Sequence, residues 1–145
     1  MRKIENIAAG LAGAVALNVL HQSLKNANGT PRVDLVGEEA LERVLGFFGT
    51  GINDGENLYQ ATLAGDLISN TLYYSLIGAG AKRFLWGKAI LLGLGAGIGA
   101  VNLPEPMGLN DKPVAATNQR KILTVAYYLT GALVTAFLVK AFNRK

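Results

Sequence analysis

Residues 84–103 read FLWGKAILLGLGAGIGAVNL, and residues 122–141 read ILTVAYYLTGALVTAFLVKA. The only charged side chains in the two runs are Lys88 and Lys140, each close to one end. A helix rises about 1.5 Å per residue and the hydrocarbon core of a bilayer is about 30 Å thick, so about 20 apolar residues suffice to cross it. Working outward, Ile4–Leu24 and Leu58–Ala81 are runs of similar length, although the second contains Asp66. The expected fold is all-α: a polytopic membrane protein with four transmembrane helices at about 4–24, 58–81, 84–103 and 122–141. Residues 1–145 then form a single four-helix transmembrane domain, and no length remains for a second one.

The composition agrees. Hydrophobic residues make up 50% of the chain, mean hydropathy is +0.28 and Gly numbers 18, a pattern expected where helix backbones approach closely in lipid. Cysteine is absent, which removes disulfides, thiolate nucleophiles and Cys-based metal sites. The net charge of +4 is spread over the connections rather than along one face, so it argues for membrane topology and against nucleic acid. Met1-Arg2-Lys3 followed by an apolar stretch and Ala14-Val15-Ala16 also fits a signal peptide. The reading adopted is a retained first helix.

Arg2, Lys3, Lys82, Arg83, Lys88, Lys140, Arg144 and Lys145 fall on one side of the four spans, with Glu5 as that side's acid. By the positive-inside rule this side is expected to be cytoplasmic, with both termini there, in a multi-pass protein of a bacterial inner membrane. The outer connections are the long ones. Within the first, Asn28-Gly29 marks a turn and Asp34 is expected to cap a short amphipathic helix, about 35–48. Leu41, Val44, Leu45 and Phe48 recur on one face of it, opposite Glu38, Glu39, Glu42 and Arg43. Asn28-Gly29-Thr30 matches a glycosylation sequon, and the glycine-rich stretch from Gly46 to Gly55 reads as a flexible loop.

Two sets of residues stand out inside the spans. Gly93, Gly95, Gly97 and Gly99 form two overlapping small-xxx-small pairs, and Ala9, Gly13 and Ala16 or Leu17 give the first span a narrower version; these four glycines, with Gly10 and Gly13, are expected to be helix-packing residues. The polar set is Asn18, His21, Asp66, Asn70 and Asn102. Asn18 and His21 share one helix face, as do Asp66 and Asn70, and their depths match, so His21 is expected to meet Asp66. An intramembrane carboxylate is costly unless paired or hydrated, which makes this polar cluster the candidate site.

No catalytic constellation accompanies it. Ser23 lies two residues from His21, a spacing that turns the side chains apart, and neither a metal set nor a cofactor motif is present. The expected function is that of a non-enzymatic integral membrane protein, a subunit or assembly partner of a membrane complex. Its expected partners are the lipid bilayer and other membrane subunits or copies of itself, with no cofactor. The alternative is a small ion, proton or solute channel or transporter, oligomeric and organised around Asp66 and His21.

Overall fold

The computed structural model describes residues 2–144, so Met1 and Lys145, the latter part of the charge tally above, lie outside the described residues. The architecture is helical throughout, with no strand among the described residues. Four long helices, α1 (Arg2–Leu24), α3 (Gly55–Ser75), α4 (Leu85–Asn102) and α6 (Asn118–Phe142), form a bundle. Two shorter helices, α2 (Val33–Phe47) and α5 (Lys112–Ala115), sit in the long connections. Three of the helical segments, Arg2–Leu24, Lys82–Asn102 and Asn118–Phe142, are long and apolar enough to cross a membrane, and they point to a membrane protein.

The helices pack in the order α3, α1, α6, α4. Gly10 of α1 faces Thr71 and Ser75 of α3, and Gln22 faces Tyr59, so these two helices run antiparallel. The same reasoning holds for α1 with α6, through His21 beside Tyr127, and for α4 with α6, through Gly97 beside Val125. The start of α1, the end of α6 and the 76–84 connection therefore lie at one end of the bundle, here the terminal end. The longer connections, with α2 and α5, lie at the other, the loop end.

Small residues set the spacing. Ala9, Ala14, Ala89, Ala132 and Ala136 are fully buried, and Tyr74, Ile77 and Val139 fill the volume between them. Side chains this small let backbones approach closely, which is where van der Waals packing gains most when lipid offers no hydrophobic contrast. Thr124 and Thr135 are also fully buried, and each hydroxyl donates to the carbonyl four residues back in its own helix, Arg120 O at 2.7 Å and Gly131 O at 2.9 Å. No partner on another helix is needed to satisfy them.

Several expectations are corrected here. The second run does not continue as a helix to Ala81: α3 ends at Ser75, and two 3-10 turns, Leu76–Gly78 and Lys82–Phe84, make the connection, with Gly80 at φ +75° between them. Although only Lys82 and Arg83 separate the second and third apolar runs, which predicts an antiparallel hairpin, α3 and α4 are not close neighbours. Each packs on the central pair instead, and a single hydrogen bond, from Tyr73 OH to Leu92 O at 2.7 Å, ties them near the terminal end. Farther along they part. The short helix is Val33–Phe47 rather than 35–48, and Asp34 does not cap it but lies buried in its first turn. Its inward side is formed by Asp34 and Gly37, where a Cβ on Gly37 would meet Thr62 Cγ2 at 2.8 Å. Val44 and Phe48 of the expected apolar face are exposed, at 55% and 74%.

Candidate functional site

The connection after α1 is folded by specific contacts. Gly29 takes φ +75°, a left-handed conformation that a side chain would strain. Thr30 then turns back so that its hydroxyl reaches Leu24 O at 2.6 Å and Ala27 O at 2.7 Å, satisfying carbonyls at the end of α1. That hydroxyl is buried and engaged, so the sequon at Asn28 is folded into the turn. Arg32 N donates to Pro113 O at 2.9 Å, which ties the start of α2 to the segment that carries α5. The result is a reversal that brings residue 34 back over residue 21.

Asp34 is the centre of the site. Its carboxylate accepts two hydrogen bonds from Arg32, at Oδ1 from Nε at 2.9 Å and at Oδ2 from Nη2 at 2.7 Å, and His21 Nε2 stands 3.2 Å from the same Oδ1. The His21 contact is electrostatic: its geometry is not that of an aligned hydrogen bond, and Nε2 has no other polar partner. Burial by itself would push the Asp34 carboxyl up. The hydrogen bonds from Arg32, the imidazole of His21 close by and the guanidinium charge outweigh burial and hold it well below the usual carboxylate range. Arg32 responds in the opposite sense, its guanidinium raised chiefly by the bond to Asp34.

Below this pair is a cavity of about 20 Å³ whose walls include Asn18, His21, Asp34, Asp66, Asn70 and Tyr127. That volume holds about one water molecule. The Tyr127 ring meets His21 edge on, with centroids 6.4 Å apart at 72°, and its buried hydroxyl has no protein partner. Gln22 Nε2 closes one side by donating to Tyr59 OH. Four members of the expected polar cluster, Asn18, His21, Asp66 and Asn70, thus line one cavity. Asn102 is elsewhere: its amide donates to Ile98 O at 3.0 Å and it faces a separate depression beside Lys121 and Ile122.

The expected contact between His21 and Asp66 is replaced. His21 is paired with Asp34, and Asp66 has neither an ion pair nor a hydrogen bond among the described residues. The reason is topological. The turn at 25–32 delivers a carboxylate already neutralised by Arg32 to the imidazole, while Asp66, on the neighbouring helix, faces the cavity from the far side. Sequence reasoning placed Asp34 in a helix cap and overlooked Arg32 and Tyr127 as site residues. The available signal was the short turn, Asn28-Gly29 followed by Pro31, which limits how far residue 34 can lie from the end of α1.

Asp66 also borders a second space. Between α3 and α4, on the side where they part, a groove of about 440 Å³ is lined by Tyr73, Gly95, Ala96, Gly99, Ala100 and Tyr128, with Val33, Val36 and Gly37 of α2 at its loop end. The four glycines of α4 divide between two environments. A Cβ on Gly93 would meet Ala132 Cβ at 2.8 Å, and one on Gly97 would meet Val125 Cα at 2.6 Å, so these two are closed against α6. Gly95 and Gly99 face the groove, their nearest outside atoms being Tyr73 OH at 3.7 Å and Leu103 Cδ1 at 3.4 Å. Gly95 is therefore not in a close helix contact as the pattern suggested. Gly10 and Gly13 are, against the backbones of α3 and α6 respectively.

Chemically, the cavity can hold a proton or one water among an imidazole, two carboxylates and a phenol. Ser23 takes no part, since its hydroxyl donates to Val19 O at 2.7 Å along its own helix. Among the described residues no three His, Cys, Asp or Glu side chains converge as metal ligands. In comparisons with known proteins the chain matches no family model, and neither curated proteins nor solved structures gave a significant match.

Proposed function

We propose that this is a non-enzymatic integral membrane protein that serves as a subunit or assembly partner of a membrane complex. The observation that carries the reading is the groove between α3 and α4, with Gly95 and Gly99 on its wall. A small-residue face left uncovered on a membrane helix is the surface on which a further helix packs, because it lets two backbones approach closely. The groove runs beside helices that are apolar on the outside, and Asp66 on its border is free to accept a hydrogen bond from the helix that enters.

In this reading all four long helices cross the bilayer, both chain ends are cytoplasmic and α2 lies outside, in a bacterial inner membrane. The hydropathy of α3 is lowered by Thr62, Asp66, Asn70 and Thr71, of which the first three line the polar cavity and Thr71 is buried. Its outward residues Ile68, Leu72 and the following Leu76 are apolar and exposed at 63%, 59% and 54%. Average hydropathy does not distinguish these sides, and lipid contacts only the second.

Native mass spectrometry of the detergent-extracted protein tests the proposal. Wild type is expected in an assembly larger than one chain, and Gly99→Leu, which fills the groove without touching α6, is expected to release it as a single folded chain. A wild-type protein found only as a single chain with lipid would overturn the reading. The small polar cavity favours one alternative, a proton or ion path through Asp66 and His21, since His21 Nε2 and Tyr127 OH are buried there without hydrogen-bond partners among the described residues. Proton flux into liposomes that is abolished by Asp66→Asn would select it.

A further inference from the structure

At the terminal end of the bundle, α4 begins where α6 ends, and a cleft of about 350 Å³ opens between them. Its walls are Leu85 and Trp86 from α4, Lys140, Asn143 and Arg144 from α6, and Lys82 from the preceding turn. Lys82, Lys140 and Arg144 converge there from two separate segments, and none of them is in an ion pair among the described residues. Asn143 donates one amide hydrogen to Val139 O at 2.7 Å, and the charged donors of the cleft are the three cations. Among the described residues no acidic side chain lines it. The first turn of α4 also presents the positive end of a helix with no side-chain cap.

We propose that this cleft binds the phosphodiester headgroup of an anionic lipid. Charge complementarity requires an anion, and the position selects a lipid rather than a soluble ion. Trp86 and Phe84 are exposed at 41% and 55% at the end of an apolar helix, the level at which aromatic side chains meet lipid headgroups. Lys140 Nζ lies over the Trp86 ring, 5.9 Å from its centroid, and both side chains line the cleft. A phosphate between Lys82, Lys140 and Arg144 would leave its acyl chains to run along the outside of α4 and α6, where Leu91 and Phe137 are exposed at 71% and 63%. Basic pockets between membrane helices bind acidic headgroups in this manner. The site stands apart from the polar cavity and the groove, which lie on the loop side of the molecule, and does not depend on what fills them.

The test is lipid retention by the full chain, read by native mass spectrometry after exchange into phosphatidylglycerol or phosphatidylcholine. Wild type is expected to retain phosphatidylglycerol preferentially. Lys82→Gln combined with Lys140→Gln should reduce that preference about tenfold or more, since each surface base near an anionic lipid contributes a factor of about five. Lys112→Gln combined with Lys121→Gln, on exposed bases at the opposite end, should leave it unchanged. All four lysines are exposed, so folding is expected to survive, and the thermal melting of each variant checks that it does. Equal retention of the two lipids by wild type, or equal loss in the two double variants, would overturn the proposal. So would inorganic phosphate raising the melting temperature as much as phosphatidylglycerol does, because the anion would then need no lipid.

Discussion

His21 Nε2 stands 3.2 Å from Asp34 Oδ1, joining the last turn of α1 to the first turn of α2 across a connection that the sequence presents as an ordinary loop. Asp34 also accepts two hydrogen bonds from Arg32, one at this Oδ1 and one at Oδ2. The contact fixes where α2 begins, and α2 in turn forms the loop end of the groove beside Asp66.

Replacing Asp34 should therefore loosen the loop end before it disturbs the bundle. Removing one member of a buried charged pair leaves the other without compensation; Arg32 is one-third exposed, which limits the penalty to about 2 kcal/mol for Asp34→Ala. Asp34→Asn keeps an acceptor and should cost less. Thermal unfolding in detergent gives the order, and limited proteolysis between residues 25 and 55 should rise in parallel. An Asp34→Ala protein as stable and as resistant as wild type would show that the pair does not secure α2.

The same carboxylate sets an acid limit. Its native pKa lies below the ordinary value of about 3.9, so its contribution is complete above about pH 5 and is lost as pH falls through the depressed native value. The gap in melting temperature between wild type and Asp34→Asn should be constant from neutral pH down to about pH 5, then narrow below about pH 4. A gap that narrows between pH 8 and 6 instead would assign the dependence to another group.

The glycines of α4 give a directional contrast. Gly97→Leu must displace the Val125 backbone, 2.6 Å from the added Cβ, and should destabilise the fold by about 1–3 kcal/mol or more. Gly95→Leu faces the groove and should change the stability of a single chain by about 0.5 kcal/mol or less. Equal effects of the two substitutions on thermal stability would contradict the division of this helix into a closed and an open face.

Tyr74 reports on the centre of the bundle. It is fully buried, its ring lies against Gly131, and its hydroxyl donates to Tyr128 O at 2.8 Å. Tyr74→Phe removes only the bond and should cost about 1 kcal/mol, whereas Tyr74→Ala opens a cavity and should cost about 3–5 kcal/mol. Denaturant titration of the two variants separates them.

Orientation is open to direct labelling because the chain has no cysteine of its own. A cysteine at Gly51, in the connection between α2 and α3 with nothing within 4 Å, should react with a membrane-impermeant maleimide in intact cells. Reaction only after lysis would reverse the expected topology.

The sequence by itself determined the helices of this protein, because apolar length and helix-breaking residues act locally. The runs at 84–103 and 122–141 have too few polar groups to form anything but buried or lipid-facing helices, and Asn28-Gly29 marks a turn, at which Gly29 takes φ +75°. It also carried the polar residues at matching depth that came to line one cavity, Asn18, His21, Asp66 and Asn70. Only the tertiary structure decided which of them touch. A helix exposes every residue on some face, so the spacing of Gly93, Gly95, Gly97 and Gly99 defines two stripes but not which one meets α6. Likewise, the matching depth of His21 and Asp66 allowed a contact that the turn at 25–32 gave to Asp34, because Arg32 arrives with that carboxylate and neutralises it where Asp66 has no such companion.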